Sequence, residues 1–248
     1  MIDQDSQNPE DDSVNDSEII SYHKIIFIGN LEVGKSAIIS VICGISFINE
    51  TTMGVDFITK NIKFRGQNIK LQICDTNGSQ RTKGLLSANI HNSSLIFLVY
   101  DISNRDSFNE IPNWISFIRS IKDTNIVLCG NKTDLIKYRE VKKEEGEALA
   151  QKEGLIFFEV SALNGYGIKN MFYNSIAELF MLDESNSNKE NIVNELMQEN
   201  DEEYILEGFK QYEYEEEKNS TQNIIIKKEN IQVKNRKINK RRKCLCLC

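Results

Sequence analysis

Gly29-Asn30-Leu31-Glu32-Val33-Gly34-Lys35-Ser36 sets two glycines, a lysine and a hydroxyl directly after an apolar run at residues 25–28. Such a segment can wrap phosphates. Its backbone N–H groups point inward, the Lys35 ammonium supplies positive charge, and the Ser36 hydroxyl suits Mg²⁺. Gly29, Glu32, Val33, Gly34, Lys35, Ser36 and Ala37 are therefore expected to contact a nucleotide, with Lys35 also acting in catalysis. Many ATPases and kinases carry the same spacing, so this stretch does not choose the base. Asn131-Lys132-Thr133-Asp134, roughly a hundred residues later, does. An aspartate such as Asp134 can accept from both the ring N–H and the exocyclic amine of guanine, and adenine offers no such donor pair on that edge.

The positioning elements follow from the hydrophobic pattern. Short apolar, β-branched runs at residues 25–28, 69–74, 95–100, 126–129 and 156–160 are bounded by Gly, Asn or Asp. Helical spacing appears between them, at residues 36–43, 105–121, 142–153 and 168–182. Strand followed by helix, repeated, predicts an α/β fold: a six-stranded, mostly parallel sheet with helices on both faces. Residues 56–64 alternate and join 69–74 through Arg65-Gly66-Gln67-Asn68, which predicts an antiparallel edge hairpin. Every strong motif then falls just after a strand, at the carboxyl edge where such sheets bind ligands.

Further candidates sit on that edge. Asp75 is placed to hold Mg²⁺ through its second sphere, and Gly78 to give an N–H to a terminal phosphate; a plain strand-end turn is the alternative for Asp75. Thr52 can lend a hydroxyl to Mg²⁺, with Thr51 as the competing choice. The expected metal set is thus Ser36, Thr52 and Asp75. Ser161-Ala162 can offer backbone N–H groups to the guanine carbonyl, and the Lys132 stem can lie over the base.

Charge divides the chain. Residues 1–18 hold seven acids and no base, 19–182 eighteen bases and sixteen acids, 183–219 thirteen acids and three bases, and 220–248 nine bases and one acid. We expect an acidic disordered tail at 1–19, one folded domain at 20–182, an acidic and mostly disordered linker at 183–233, and a polybasic segment at 234–248. No apolar run approaches the ~20 residues of a membrane span, and the start lacks a secretion signal, so a cytosolic or peripheral protein is expected. Cys43, Cys74 and Cys129 are scattered in apolar context and read as buried thiols. None has metal-site spacing to a histidine.

Together these motifs resemble the Rab proteins of the Ras-like small GTPase superfamily, over about residues 22–182 and the last three residues. Met53-Gly54-Val55-Asp56-Phe57, Lys70-Leu71-Gln72-Ile73-Cys74-Asp75-Thr76 and Tyr100-Asp101-Ile102 resemble stretches that mark Rabs. Gly130-Asn131-Lys132-Thr133-Asp134-Leu135, Glu144-Glu145-Gly146-Glu147 and Gly165-Tyr166-Gly167 look most like the Golgi-associated subgroup. The resemblance implies a P-loop fold, GTP/GDP and Mg²⁺ as ligands, and two switch loops ordered by GTP and released on hydrolysis. It implies vesicle transport on the cytoplasmic face of endomembranes, Golgi or related vesicles, with a cytosolic pool. It also implies exchange factors, GTPase-activating proteins, a GDP-dissociation inhibitor, a prenylation escort and effectors as partners.

The chain departs from that pattern at several positions. The family's Asp-Thr-Ala-Gly-Gln-Glu reads Asp75-Thr76-Asn77-Gly78-Ser79-Gln80 here. Ser79 is too short to orient the attacking water as the usual glutamine does, and Gln80 can substitute only through a register shift. Slow hydrolysis is therefore expected, with a GTP-holding scaffold as the alternative. Leu31 and Glu32 replace small residues; Leu31 would crowd a partner's catalytic arginine, and an outward Glu32 would spare the phosphates its charge. The stretch from Lys35 to Thr52 looks about two residues short. Cys74 and Asn89 stand where Rabs carry Trp and Tyr, leaving Phe57 alone of an aromatic effector patch, and Leu163 replaces a lysine beside the base.

The terminal Cys-Leu-Cys resembles the Rab signal for two geranylgeranyl groups, on Cys246 and Cys248, since a C-a-a-X box would need cysteine at Leu245. Two chains anchor stably, and the adjacent basic cluster adds attraction to anionic lipid. Its alternative as a nuclear-import or nucleic-acid patch is disfavoured by the three cysteines beside it, so nucleic acid is not an expected partner. Cys244 is either a third acylated site or an unmodified thiol. In the linker, Ile192, Val193, Leu196 and Met197 have the spacing of a short amphipathic helix, docked on a partner or extended in solution.

Overall fold

Six strands order the chain in a computed structural model that describes residues 19–46, 52, 54–78, 83–181 and 189–200. They are β1 (Ile19–Ile28), β2 (Val55–Phe64), β3 (Gln67–Thr76), β4 (Leu95–Asp101), β5 (Asn125–Asn131) and β6 (Ile156–Glu159), in one sheet of order β2-β3-β1-β4-β5-β6. Among the described residues only β2 and β3 pair antiparallel; the other neighbours run parallel. Fully buried β4 (Leu-Ile-Phe-Leu-Val-Tyr-Asp) reads as the continuous apolar run that a strand covered on both faces requires. The β2–β3 turn is tighter than expected. Arg65 and Gly66, both at positive φ (51° and 72°), form a two-residue connection, and pairing resumes at Phe64 with Gln67.

Helices α1 (Lys35–Cys43), α2 (Lys83–His91), α3 (Arg105–Asn109), α4 (Ile111–Ile121), α5 (Lys143–Glu153), α6 (Ile168–Met181) and α7 (Lys189–Glu199), with a 3₁₀ turn at Thr133–Tyr138, complete the described chain. Two cores result. One joins Ile25, Phe27, Leu71, Phe97 and Val127 to residues of α1, α6 and α7; the other joins Ile26, Ile28, Cys74, Leu98 and Leu128 to α2 and α4. Alternation along β1 divides its side chains between them.

The helical stretch expected at residues 105–121 is two helices. Asn104 caps the first by accepting from the Ser107 N–H at 3.0 Å, and Pro112, which has no N–H to give, sits in the first turn of the second. A larger difference lies beyond residue 182, where a mostly disordered linker is expected. There, α7 contributes fully buried Ile192 and Leu196 to the first core, while Lys189 pairs with Glu178 of α6. Burying two branched apolar side chains yields about 3–5 kcal/mol, enough to hold a short helix that is otherwise acidic. The packed domain therefore reaches Asn200. Cys74 and Cys129 are buried, and Cys43 half-buried.

Candidate functional site

The loop after β1 turns on backbone that only glycine tolerates. A Cβ on Gly29 would lie 2.1 Å from the Val99 carbonyl oxygen, and one on Gly34 would lie 2.4 Å from Asn131 Nδ2. Two more features face outward: Glu32 takes a left-handed φ of 62° and is exposed, as is Leu31 at 52%. Outward Glu32 matches the reading that keeps its carboxylate off the phosphates. Val33 is buried and Ala37 half-buried beneath the loop.

Lys35 opens α1 and is only 5% exposed; its ammonium donates to the Gly29 and Asn30 carbonyls at 3.1 and 2.7 Å. Burial lowers its pKa to about 8, against the raising effect of the Asp75 carboxylate. Ser36, Thr52 and Asp75 come together across 39 residues of sequence, from α1, the loop before β2 and the end of β3. Ser36 Oγ donates to Asp75 Oδ2 at 2.5 Å, Thr52 Oγ1 donates to the same oxygen at 3.1 Å, and the two hydroxyls are 3.0 Å apart. The other carboxylate oxygen, Asp75 Oδ1, is buried with no hydrogen-bond partner among the described residues.

A buried oxygen without a partner is costly unless something else satisfies it. Burial raises the Asp75 pKa, with the Ser36 and Thr52 hydroxyls opposing the shift. Two hydroxyls converging on a carboxylate beside an ammonium form an all-oxygen donor set, which fits Mg²⁺ bound to phosphate. Gly78 lies behind it, buried, and a Cβ there would come within 2.4 Å of the Gly29 carbonyl oxygen. Ser79 and Gln80, the water-orienting candidates, lie outside the described residues, as do Thr51, Cys244, Cys246 and Cys248.

The opposite end of the edge is tied internally. Asn131 Nδ2 donates to the Val33 carbonyl at 2.9 Å and Asn131 Oδ1 accepts from the Ala162 N–H at 3.1 Å, so one buried amide joins three loops. Lys132 adopts a left-handed φ of 67°, and its ammonium pairs with Asp101 at 2.7 Å. Ser161 Oγ donates to Asp134 Oδ1, fixing the carboxylate that is expected to read the base. Ala162 is buried, whereas Leu163 stands exposed beside it.

Two supports escaped the sequence reading. Trp114 Nε1 donates to Asn30 Oδ1 at 2.8 Å, tying α4 to the phosphate loop over 84 residues of sequence. Asp101 restrains the Lys132 stem from the end of β4. No spacing rule connects Asn30 to Trp114, although a lone tryptophan with its N–H to satisfy was a signal that some partner existed.

Comparison with known proteins agrees with this geometry. A family profile described as the Ras family matches residues 24–181. The chain is 41% identical over 153 residues to the Ras-related protein Rab-4 of Dictyostelium discoideum, covering 60% of this chain and 75% of that one. It is 39% identical over 169 residues to the Ras-related protein RGP2 of Oryza sativa subsp. japonica, covering 66% of this chain and 78% of that protein. Against Rab2BV of Beta vulgaris, the identity is 39% over the same length, covering 66% of this chain and 79% of the relative. A parallel sheet with a phosphate loop at its carboxyl edge, a match over most of the packed domain and relatives near 40% identity together place the chain in the Ras family of small GTPases, within its Rab branch.

Proposed function

We infer that this chain is a membrane-anchored GTP/GDP switch of vesicle transport, acting on Golgi or related endomembranes and hydrolysing GTP slowly. The observation that carries the switch is the convergence of Ser36, Thr52 and Asp75 around an unsatisfied Asp75 Oδ1. Mg²⁺, when bound there, would neutralise phosphate charge. Lys35 would exchange its two carbonyl partners for phosphate oxygens, and Gly78 would donate its N–H to the terminal phosphate. Thr52 precedes β2 and Gly78 follows β3, and the Asn77 N–H donates to the Gly54 carbonyl at 3.1 Å, so both loops answer to one ligand. Losing the terminal phosphate releases them together.

Asp134 selects guanine in this reading, Lys132 covers the base with its stem, and the Ser161-Ala162 backbone reads the guanine carbonyl by giving up a bond it now makes, the Ser161 N–H to the Tyr166 carbonyl or the Ala162 N–H to Asn131 Oδ1. Slow hydrolysis rests on Ser79 standing where a longer side chain would orient water. Cys246 and Cys248 carry the lipid, helped by the basic segment after residue 233. Exchange factors, GTPase-activating proteins, a GDP-dissociation inhibitor and effectors would act on the two loops. The test is to identify the nucleotide that copurifies with the protein and then follow single-turnover GTP hydrolysis. Bound guanine nucleotide with a rate unchanged in a Ser79→Ala/Gln80→Ala double variant supports a chain that never used those side chains. Hydrolysis at ordinary family rates in that variant would overturn the argument from water positioning on which the slow-hydrolysis reading rests. Ser79 itself favours a second reading, a scaffold that holds GTP with little turnover at all.

A further inference from the structure

The α2 and α4 helices cover only part of the sheet face they share with β1, β2 and β3. Residues paired across the strands, Phe57 to Cys74 and Lys24 to Gln72, place Phe57, Lys63, Lys70, Lys24 and Tyr22 on that same face. Phe57 is 51% exposed and Tyr22 54%, while the alternate residues Ile62, Leu71 and Ile73 are buried on the other face. From Phe57 to Lys63 on β2, Asn68 to Gln72 on β3 and Tyr22 to Lys24 on β1, the outward positions carry three lysines, two aromatics, and otherwise amides and a hydroxyl. None is acidic, in a protein of net charge −7.

Lys24 donates to Asn89 Oδ1 at 2.6 Å and lies 4.9 Å from the Phe57 ring centre, so its charge sits beside an exposed aromatic with a neutral partner. The side chains of Lys63 and Lys70 make no ion pair among the described residues. A face of this size and composition suits carboxylates interleaved with aromatic rings.

The chain supplies such a segment at its rim. Asn200 straddles the free edge of β2: its Oδ1 accepts from the Lys63 N–H at 2.8 Å and its Nδ2 donates to the Lys63 carbonyl at 2.7 Å. Glu199 accepts from the N–H groups of Arg65 and Gly66 at 2.7 and 3.1 Å. These bonds fix the departure point of the chain at the border of the basic face. Residues 201–217, Asp-Glu-Glu-Tyr-Ile-Leu-Glu-Gly-Phe-Lys-Gln-Tyr-Glu-Tyr-Glu-Glu-Glu, then carry eight acids, one base and four aromatics. From β2 to β1 is about 10 Å, two strand spacings, which a few extended residues cross.

We propose that the acidic segment 201–217 lies in cis against the basic face of β2, β3 and β1, its carboxylates on Lys63, Lys70 and Lys24 and its rings over Phe57 and Tyr22. The segment covers the face that borders both phosphate-sensing loops, so any partner that docks there must displace it. Charge complementarity and a fixed point of entry favour this occupant over a second copy or a separate acidic protein.

Zero-length carbodiimide coupling of the full chain tests the contact, with light and ¹⁵N-labelled chains mixed to separate cis from trans. The expected result is coupling of Lys63 or Lys70 to an acid within 201–217 inside single chains. Yield should fall about fivefold or more at 1 M salt, where screening reaches ~3 Å. The quadruple variant Glu213→Gln/Glu215→Gln/Glu216→Gln/Glu217→Gln, placed outside the packed domain, should lower the yield and speed acetylation of both lysines. Coupling only between light and heavy chains would assign the face to a second copy and overturn the proposal. Absence of coupling, with lysine acetylation unchanged in the quadruple variant, would overturn it equally.

Discussion

The base end and the phosphate end of the nucleotide edge are built on opposite principles. At the base end the main polar groups are bonded within the protein: Asn131 bridges Val33 and Ala162, Ser161 holds Asp134 Oδ1, and Asp101 holds Lys132. At the phosphate end the partners are stand-ins or missing: Lys35 rests on two loop carbonyls, two hydroxyls share one carboxylate oxygen, and Asp75 Oδ1 has none among the described residues. In the proposed reading, specificity is thus preorganised, while the switching parts acquire their full bonding only from a ligand. The difference is what a switch requires, because a site complete without its ligand would gain nothing by responding to it.

Asp134→Ala gives the sharpest test at the rigid end. Removing a charged acceptor proposed to serve two base donors should weaken guanine-nucleotide binding by about three orders of magnitude, ~4 kcal/mol. Preference for GTP over ATP should collapse with it, read by equilibrium competition. The melting temperature should fall only modestly, since the variant strips one part-buried hydrogen bond from Ser161, whose hydroxyl still accepts from the Asn164 N–H. Retained preference for guanine would mean that Ser161-Ala162 reads the base alone.

Gly34→Ala attacks the joint between the two ends. The new methyl would meet Asn131 Nδ2 at 2.4 Å on backbone with φ of 92°, so strain and a displaced amide should together cost roughly 3 kcal/mol of stability. GDP and GTP affinity should fall by the same factor. A loss confined to GTP would show that the ends are less coupled than the Asn131 bridge implies.

Ser36→Ala probes the yielding end alone. It removes a donor to Asp75 and one candidate Mg²⁺ ligand, so about 2 kcal/mol of nucleotide binding should disappear in the presence of Mg²⁺ and much less when the metal is chelated. Equal losses with and without Mg²⁺ would remove Ser36 from the metal set.

Much of this division was legible in the chain. Phosphates and guanine demand particular donors at particular spacings, so Lys35, Ser36, Asp75, Asn131 and Asp134 stood out before any geometry, and buried β4 announced a parallel sheet. What escaped was carried by few residues or by contacts distant in sequence. The short α2 buries only Leu86 and Ile90 among its described side chains, within a segment that also holds Gly84 and Asn89. The spacing of Ile192, Val193, Leu196 and Met197 did announce the helix α7, but not that it would pack within the chain, because polar neighbours outnumber those residues and only the groove beside α6 and β2 turns them into core. The break before α4 is written in Pro112, whose missing N–H interrupts the longer helical pattern of residues 105–121.

Thiol chemistry separates the packed domain from its terminus more gently. Burial pushes the Cys43 thiol up to about 11 and Cys74 to about 12, and raises fully buried Cys129 further, so all three stay protonated and unreactive near neutral pH. Alkylation of the native, unmodified chain at pH 7.5 should label Cys244, Cys246 and Cys248 alone. Mass spectrometry after digestion would count them, and fast labelling of Cys74 would contradict its place beneath the sheet face.

The smallest effect expected is at Trp114, and it bears on how far the yielding end is left to its ligand. Its indole N–H reaches Asn30 Oδ1 at 2.8 Å, while the Asn30 carbonyl holds Lys35 at 2.7 Å, so α4 props the loop that positions the ammonium. Trp114→Phe keeps an aromatic ring in the core and deletes only that donor, for a loss of ~1 kcal/mol. If the phosphate end is shaped mainly by its ligand, the loss should appear in the melting temperature of the nucleotide-free protein and largely vanish when GDP is saturating, because phosphate then holds the loop. A loss of the same size with and without GDP would instead make α4 part of the rigid framework, and the boundary between the preorganised and the yielding parts would move from the loop after β1 to the ring of Ser36, Thr52 and Asp75.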